Sequence, residues 1–130
     1  MTAADIAPKP IPDLYACNGP QFKQLAEAAL IWLETNKELV NALNVFPIPD
    51  GDTGTNMSLT MQAAMREVSS VNDRSAGRVA HALAHGALMG ARGNSGVILS
   101  QIWRGFARAI DGNETIDAPL FASALREAST

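Results

Sequence analysis

The chain has 130 residues, 47% of them hydrophobic, a net charge of −3 and a pI near 5.2. That length suits one domain, the composition supports a packed core rather than disorder, and the ten scattered Lys and Arg leave no nucleic-acid footprint. The single Cys17 excludes an internal disulfide, and no apolar run approaches the ~18 residues that span a bilayer, so the sequence reads as a soluble cytoplasmic domain.

Residues 1–16 read as an extended leader. Pro8, Pro10 and Pro12 alternate there, and no charged segment with an apolar stretch behind it marks a signal peptide. From Gln21 the apolar residues Phe22, Leu25, Ala26, Ala29, Leu30 and Leu33 recur at spacings of three and four, the mark of an amphipathic helix. It continues through Leu39, Val40 and Leu43, with a break expected near Thr35 and Asn36, and stops at Pro47. A second helix is predicted over residues 55–68 with a Met57, Met61, Met65 stripe, and a third over 75–89 with Val79, Ala80, Leu83 and Ala87 inward. A fourth spans 97–110 on Leu99, Ile102, Trp103, Phe106 and Ile110; a fifth, capped by Asp117, carries Leu120, Phe121, Ala124 and Leu125. No strand-like alternation competes and the loops are short, so the expectation is an all-α fold, an antiparallel amphipathic helix bundle over residues 17–130. The sequence stops two residues after Ala128 with no C-cap signal, which reads as a domain cut partway.

Two loops break this pattern and feed directly into helices. In the first, PDGDTGTN (residues 49–56), Asp50 and Asp52 are spaced to point the same way in an extended segment. Two adjacent carboxylates repel unless a cation sits between them, and oxygen donors suit a hard cation. Gly51 and Gly54 let the backbone turn and approach closely, while Thr53, Thr55 or Asn56 lies at a helix N-terminus, where free N–H groups and the dipole favour an anion. A cation site joined to an anion site is what a magnesium–phosphate group requires. The plainer reading is a turn followed by a Thr N-cap. An EF-hand is excluded, because Gly54 and Met61 fall where oxygen ligands belong.

The second loop, MGARGNSG (residues 89–96), places glycines every third residue before a helix, which suits backbone N–H groups offered to an oxyanion. It is neither a Walker A nor a Rossmann loop. The plainer reading is an interhelical connection with Ser95 as N-cap. His81 and His85 stand one helical turn apart, as in zinc sites, but no third ligand pattern accompanies them, and nothing marks Cys17 as a nucleophile.

Together, LNVFPIPDGDTGTNMSLTM and MGARGNSGVILSQIWRGF resemble the N-terminal kinase domain of bacterial fatty acid kinase, itself similar to the nucleotide-binding L-subunit of dihydroxyacetone kinase. The resemblance covers residues 17–130. It implies a ring of eight amphipathic antiparallel helices, of which about five are present, with ATP at one rim. Asp50 and Asp52 match the acidic motif that holds Mg²⁺. A third aspartate of the dihydroxyacetone kinase pattern falls near Asn44, with a one-residue difference in spacing. Thr53, Gly54, Thr55 and Asn56 match the segment that meets the phosphates, and Asn94 and Ser95 match the second nucleotide-contacting loop. The implied cofactors are Mg²⁺ and ATP. The implied activity is transfer of the γ-phosphoryl group, to a fatty acid carboxylate presented by a separate lipid-binding protein, or to a glycerone-like substrate. An unclosed ring also implies a completing C-terminal segment or a homo-oligomer. The alternatives are a non-catalytic nucleotide-binding or interaction module of the same fold, and an unrelated metal-binding helical bundle.

Overall fold

A computed structural model describes residues 16–45 and 50–129. The expected leader thus lies outside the described residues except for Ala16, as do Pro47 and Pro49. Among the described residues the chain forms a two-residue strand β1 (Ala16–Cys17), then helices α1 (Gly19–Thr35), α2 (Lys37–Ala42), α3 (Thr53–Ser69), α4 (Ala76–Met89) and α5 (Gly93–Ala109). A second short strand, β2 (Ile116–Asp117), leads into α6 (Ala118–Ala128). The fold is all-α, with one small antiparallel pair in which Cys17 faces Ile116.

Local chemistry sets the boundaries. A capping box starts α1: Asn18 Oδ1 accepts the Gln21 amide at 3.1 Å, and Gln21 Oε1 accepts the Asn18 amide at 2.9 Å. The break near Thr35 is present. The Thr35 hydroxyl donates to the Ile31 carbonyl and the Asn36 amide side chain to that of Trp32, so polar side chains use the last carbonyls of α1 and the chain restarts as α2. Ser75 caps α4, and Asp117 caps α6 through the Leu120 amide at 2.8 Å.

The centre of the core is made by α3, α4 and α5. Ala64, Val68, Ala80, Leu83 and Ala87 are fully buried, and α4 packs on both of the other two. Phe106 of α5 ties in the flanking helices. It stacks on Phe22 of α1 at 5.8 Å and meets Trp103 and Phe121 edge-on at 5.5 and 5.6 Å. Met61 fills the space beside this cluster and accepts a hydrogen bond from Trp103 Nε1, so the methionine stripe is core packing there.

The apolar stripes are wider than the core they face. Leu25, expected inward, is 57% exposed, and Ile102, Phe121 and Leu125 are also exposed, while their neighbours Ala26, Phe106 and Ala124 are buried. Trp32, on the outer side of α1, is 70% exposed.

Candidate functional site

The first loop stands on α2. Asn41 spends both polar atoms of its side chain on Thr55: Oδ1 accepts the Thr55 amide at 3.0 Å, and Nδ2 donates to the Thr55 hydroxyl at 3.0 Å. Gly54 lies so close to α2 that an added Cβ would sit 2.5 Å from the Lys37 carbonyl oxygen. Only glycine permits that approach. Three residues beyond Asn41, Asn44 Oδ1 accepts the Asp52 amide at 3.1 Å. The turn between the two aspartates is made by Gly51 at φ +68°. Asn44 thus braces the backbone of the acidic pair.

Asp52 occupies the N-cap position of α3, yet its side chain makes no capping hydrogen bond. Its carboxylate is turned to Asp50 instead. The Asp50 carboxyl is raised above its ordinary range, first because it shares a hydrogen bond with Asp52, then by desolvation and the like charge of Asp52. The two side chains interact across a turn at Gly51, not along the extended segment that the spacing assumes. Among the described residues no group of three or more His, Cys, Asp or Glu could hold a metal. The donors here are two carboxylates with the Asn44 carboxamide beside them, a set that suits a cation retaining several waters or phosphate oxygens.

The second loop is shorter than the sequence indicates. α5 begins at Gly93 rather than at Val97, and its N-cap is Arg92, not Ser95. Gly93 adopts φ +67° and makes the turn by itself, and the Gly96 amide already bonds the Arg92 carbonyl at 3.1 Å, so the helical ladder starts there. Asn94 and Ser95 are therefore the second and third residues of α5. Asn94 is exposed and Ser95 half-buried.

The two helix starts meet. Gly93 lies against Asn56 of α3, where an added Cβ would fall 2.5 Å from Asn56 Nδ2. The Asn56 carboxamide hydrogen-bonds to none of the described residues. One turn on, the buried Thr60 hydroxyl donates to the Asn56 carbonyl at 2.8 Å and accepts the Arg92 amide at 3.1 Å. Thr53, Gly54, Thr55 and Asn56 on one side and Asn94 and Ser95 on the other thus belong to one constellation.

Capping differs among the helices. Asn18, Ser75 and Asp117 cap α1, α4 and α6 with their side chains, whereas the N-cap residues of α2, α3 and α5 make no capping hydrogen bond, and in α3 the Thr55 amide is taken instead by Asn41 of α2. The positive dipole ends of α3 and α5 are thus neighbours, linked through Thr60 and by the contact of Gly93 with Asn56.

Sequence reasoning missed Asn41 and Thr60. Asn41 lies in α2 and Asn44 just past its C-cap, three residues on, and a pair of asparagines at that spacing beside an acidic loop was the available signal. Thr60 is a lone hydroxyl flanked by Leu59 and Met61, with no sequence signal for its partner 32 positions away. The histidines do not converge on a shared ligand: His81 Nε2 is 2.9 Å from Asp111, and His85 Nδ1 is 3.1 Å from Glu67, all four exposed. Burial pushes the Cys17 thiol pKa up, which makes it a poor nucleophile.

Comparison with known proteins fits this geometry. The DAK2 domain model matches residues 47–130, from just before α3 to the end of the chain. Protein YloV of Bacillus subtilis (strain 168) is 50% identical over 109 residues, which is 84% of this chain and 20% of that protein. An uncharacterized protein of Staphylococcus aureus (strain USA300) is 44% identical over 109 residues, with the same coverage of both chains. The chain spans about a fifth of the length of these curated relatives. On the match that runs through both loops and four of the six helices, the chain belongs to the DAK2 domain family, a family of kinase-like domains.

Proposed function

We propose that this chain is the Mg²⁺–ATP-binding part of a phosphotransferase. One observation carries the proposal. The start of α5 is held to the first turn of α3 through Thr60, and that turn begins at Asp52, whose side chain interacts with Asp50 closely enough to raise the Asp50 pKa. The donor set fits magnesium: Asp50 and Asp52 would hold the ion, with Asn44 bracing them, and the ion would supply charge neutralisation at the phosphate oxygens. The chain's own residues supply the rest. The amides of Thr53 and Gly54 at the start of α3, with the Thr53 hydroxyl, fix the phosphates against the helix dipole, and Thr55, held by Asn41, steadies that turn. Asn56, whose carboxamide is unengaged among the described residues, donates from between the two loops. Asn94 and Ser95 offer their amides and side chains from α5. Phosphoryl transfer needs positioning and charge stabilisation more than covalent help, and this arrangement provides both.

The acceptor we propose is a fatty acid carboxylate, delivered by a lipid-binding partner protein. Its oxygen would form the new bond to the γ-phosphorus as the bond to the β,γ-bridging oxygen breaks, giving an acyl phosphate and ADP. The support is the resemblance of the two loop strings. A second reading is a nucleotide-binding or interaction module of the same fold that is not catalytic. The nucleotide-binding proposal is tested by calorimetric titration of ATP with and without Mg²⁺. Mutual enhancement supports the proposal; ATP affinity indifferent to Mg²⁺ refutes it. Incubating the protein with Mg²⁺–ATP and a fatty acid loaded on a lipid-binding protein, and trapping acyl phosphate with hydroxylamine, separates the two readings.

A further inference from the structure

We infer that Thr60 is a positioning residue that couples occupancy of the acidic loop to nucleotide binding at the start of α5. The inference rests on the nucleotide-binding reading above. Thr60 is 0% exposed and lies within α3, beyond its first turn. Its hydroxyl nevertheless bonds to both helix starts: the Asn56 carbonyl of α3 at 2.8 Å, and the amide of Arg92, the N-cap of α5, at 3.1 Å. A single Oγ1 thus sets the spacing of the two phosphate-facing turns.

The contact is made possible by Gly96. A Cβ there would lie 2.3 Å from Thr60 Oγ1, so any other residue would drive α5 off the hydroxyl. Gly93 completes the arrangement by leaving the place of its own side chain to Asn56. Between the acidic loop and α5 the path is short. Asp52 is the N-cap of α3, its carbonyl accepts the Asn56 amide at 2.8 Å, and the Asn56 carbonyl accepts from Thr60. A cation that draws Asp50 and Asp52 together fixes this first turn. Through Thr60 it then fixes the turn that carries Asn94 and Ser95. Coupling of this kind is a ratio of affinities, the same whichever ligand binds first.

The experiment compares ATP affinity with and without Mg²⁺ in the unmodified protein, in Thr60→Val and in Thr60→Ser. Valine keeps the shape and removes the hydroxyl; serine keeps the hydroxyl. One lost hydrogen bond is expected to reduce the Mg²⁺-induced gain in ATP affinity about fivefold in Thr60→Val. Thr60→Ser should stay within about twofold of the unmodified protein, on the premise that the retained hydroxyl keeps the bond. A purely structural role would lower stability while leaving the ratio unchanged. If Thr60→Val does not fold, amide hydrogen exchange at Arg92 in the unmodified protein decides. Mg²⁺ without nucleotide should slow it, because the cation steadies the turn to which Thr60 is bonded. A folded Thr60→Val with an unchanged ratio, or Arg92 exchange indifferent to Mg²⁺, overturns the role of Thr60 alone. An unmodified protein that binds no ATP overturns the nucleotide-binding reading, and the coupling with it.

Discussion

Asn41 holds Thr55 with both ends of its carboxamide, at 3.0 Å each, and so ties the six-residue α2 to the first turn of α3. Replacing Asn41 with Ala leaves the half-buried Thr55 amide and hydroxyl without that partner. The expected result is a loss of about 1–3 kcal/mol of stability, from two net hydrogen bonds. Weaker binding of Mg²⁺–ATP should follow, because the braced turn carries the proposed phosphate contacts. Urea denaturation with matched calorimetry checks both effects; stability unchanged by Asn41→Ala would show that water replaces the clamp.

The cap of α6 provides the contrasting case. Asp117 accepts the Leu120 amide at 2.8 Å, on a helix remote in sequence from both loops. Asp117→Ala should lower stability by about 1 kcal/mol. Affinity for ATP should remain within about twofold, since that helix start is filled by its own side chain and takes no part in the proposed site. Thermal melts and nucleotide titration on the same sample give the two numbers.

Two glycines with similar backbone angles separate strain from contact. Gly112 has φ +78° and nothing within 4 Å of an added Cβ, whereas Gly93 has φ +67° and Asn56 at 2.5 Å. Gly112→Ala should lose only the left-handed penalty of about 1–2 kcal/mol. Gly93→Ala should lose that and a further ~1–3 kcal/mol for the forced repacking. It should also weaken nucleotide binding by displacing Asn56. Equal losses at the two positions would mean that Asn56 moves aside freely.

The acidic pair has a defined pH signature. The Asp50 pKa is raised above its ordinary value of 3.8, principally by the hydrogen bond with Asp52. A raised folded-state pKa favours the protonated form. The contribution of this group to stability is therefore fully present below the ordinary value and is lost as pH rises through the raised one. The like charge of Asp52 contributes to the raised Asp50 pKa, and a divalent cation bound between the two would oppose it. Carboxyl-carbon NMR should show Asp50 titrating above an ordinary aspartate in the metal-free protein, and Mg²⁺ should move that titration to lower pH. A titration unmoved by Mg²⁺ would separate the pair from any cation.

The helices were legible because their apolar residues recur at spacings of three and four, and the α1–α2 break was legible from Thr35 and Asn36, which compete for backbone carbonyls. The early start of α5 was not. Glycines at 90, 93 and 96 read as a loop, whereas Gly93 makes one tight turn and Gly96 is the seat of a helix contact. Burial within each stripe was also hidden. Leu25 and Ala26 are neighbours on a helix, yet Ala26 is buried while Leu25 is exposed, and that depends on where the other helices lie. The closeness of Asp50 and Asp52 was suggested by their spacing, but the turn at Gly51 that lies between them was not, since the spacing argument assumes an extended segment. The supports beneath them, Asn41 and Thr60, could not be read, because their partners are 14 and 32 residues away. The two-residue pair of β1 with β2 is too short for any alternation to mark it.

The most direct test of the central claim, that the two loops form one cation–nucleotide site, replaces Mg²⁺ with paramagnetic Mn²⁺ in the presence of ATP and records which backbone amides broaden. Joint broadening at Asp50, Asp52, Thr53 and Gly54 of the first loop and at Asn94 and Ser95 of the second, abolished by Asp52→Asn, is the predicted result. Broadening confined to one loop, or centred on His81 and His85, would contradict it.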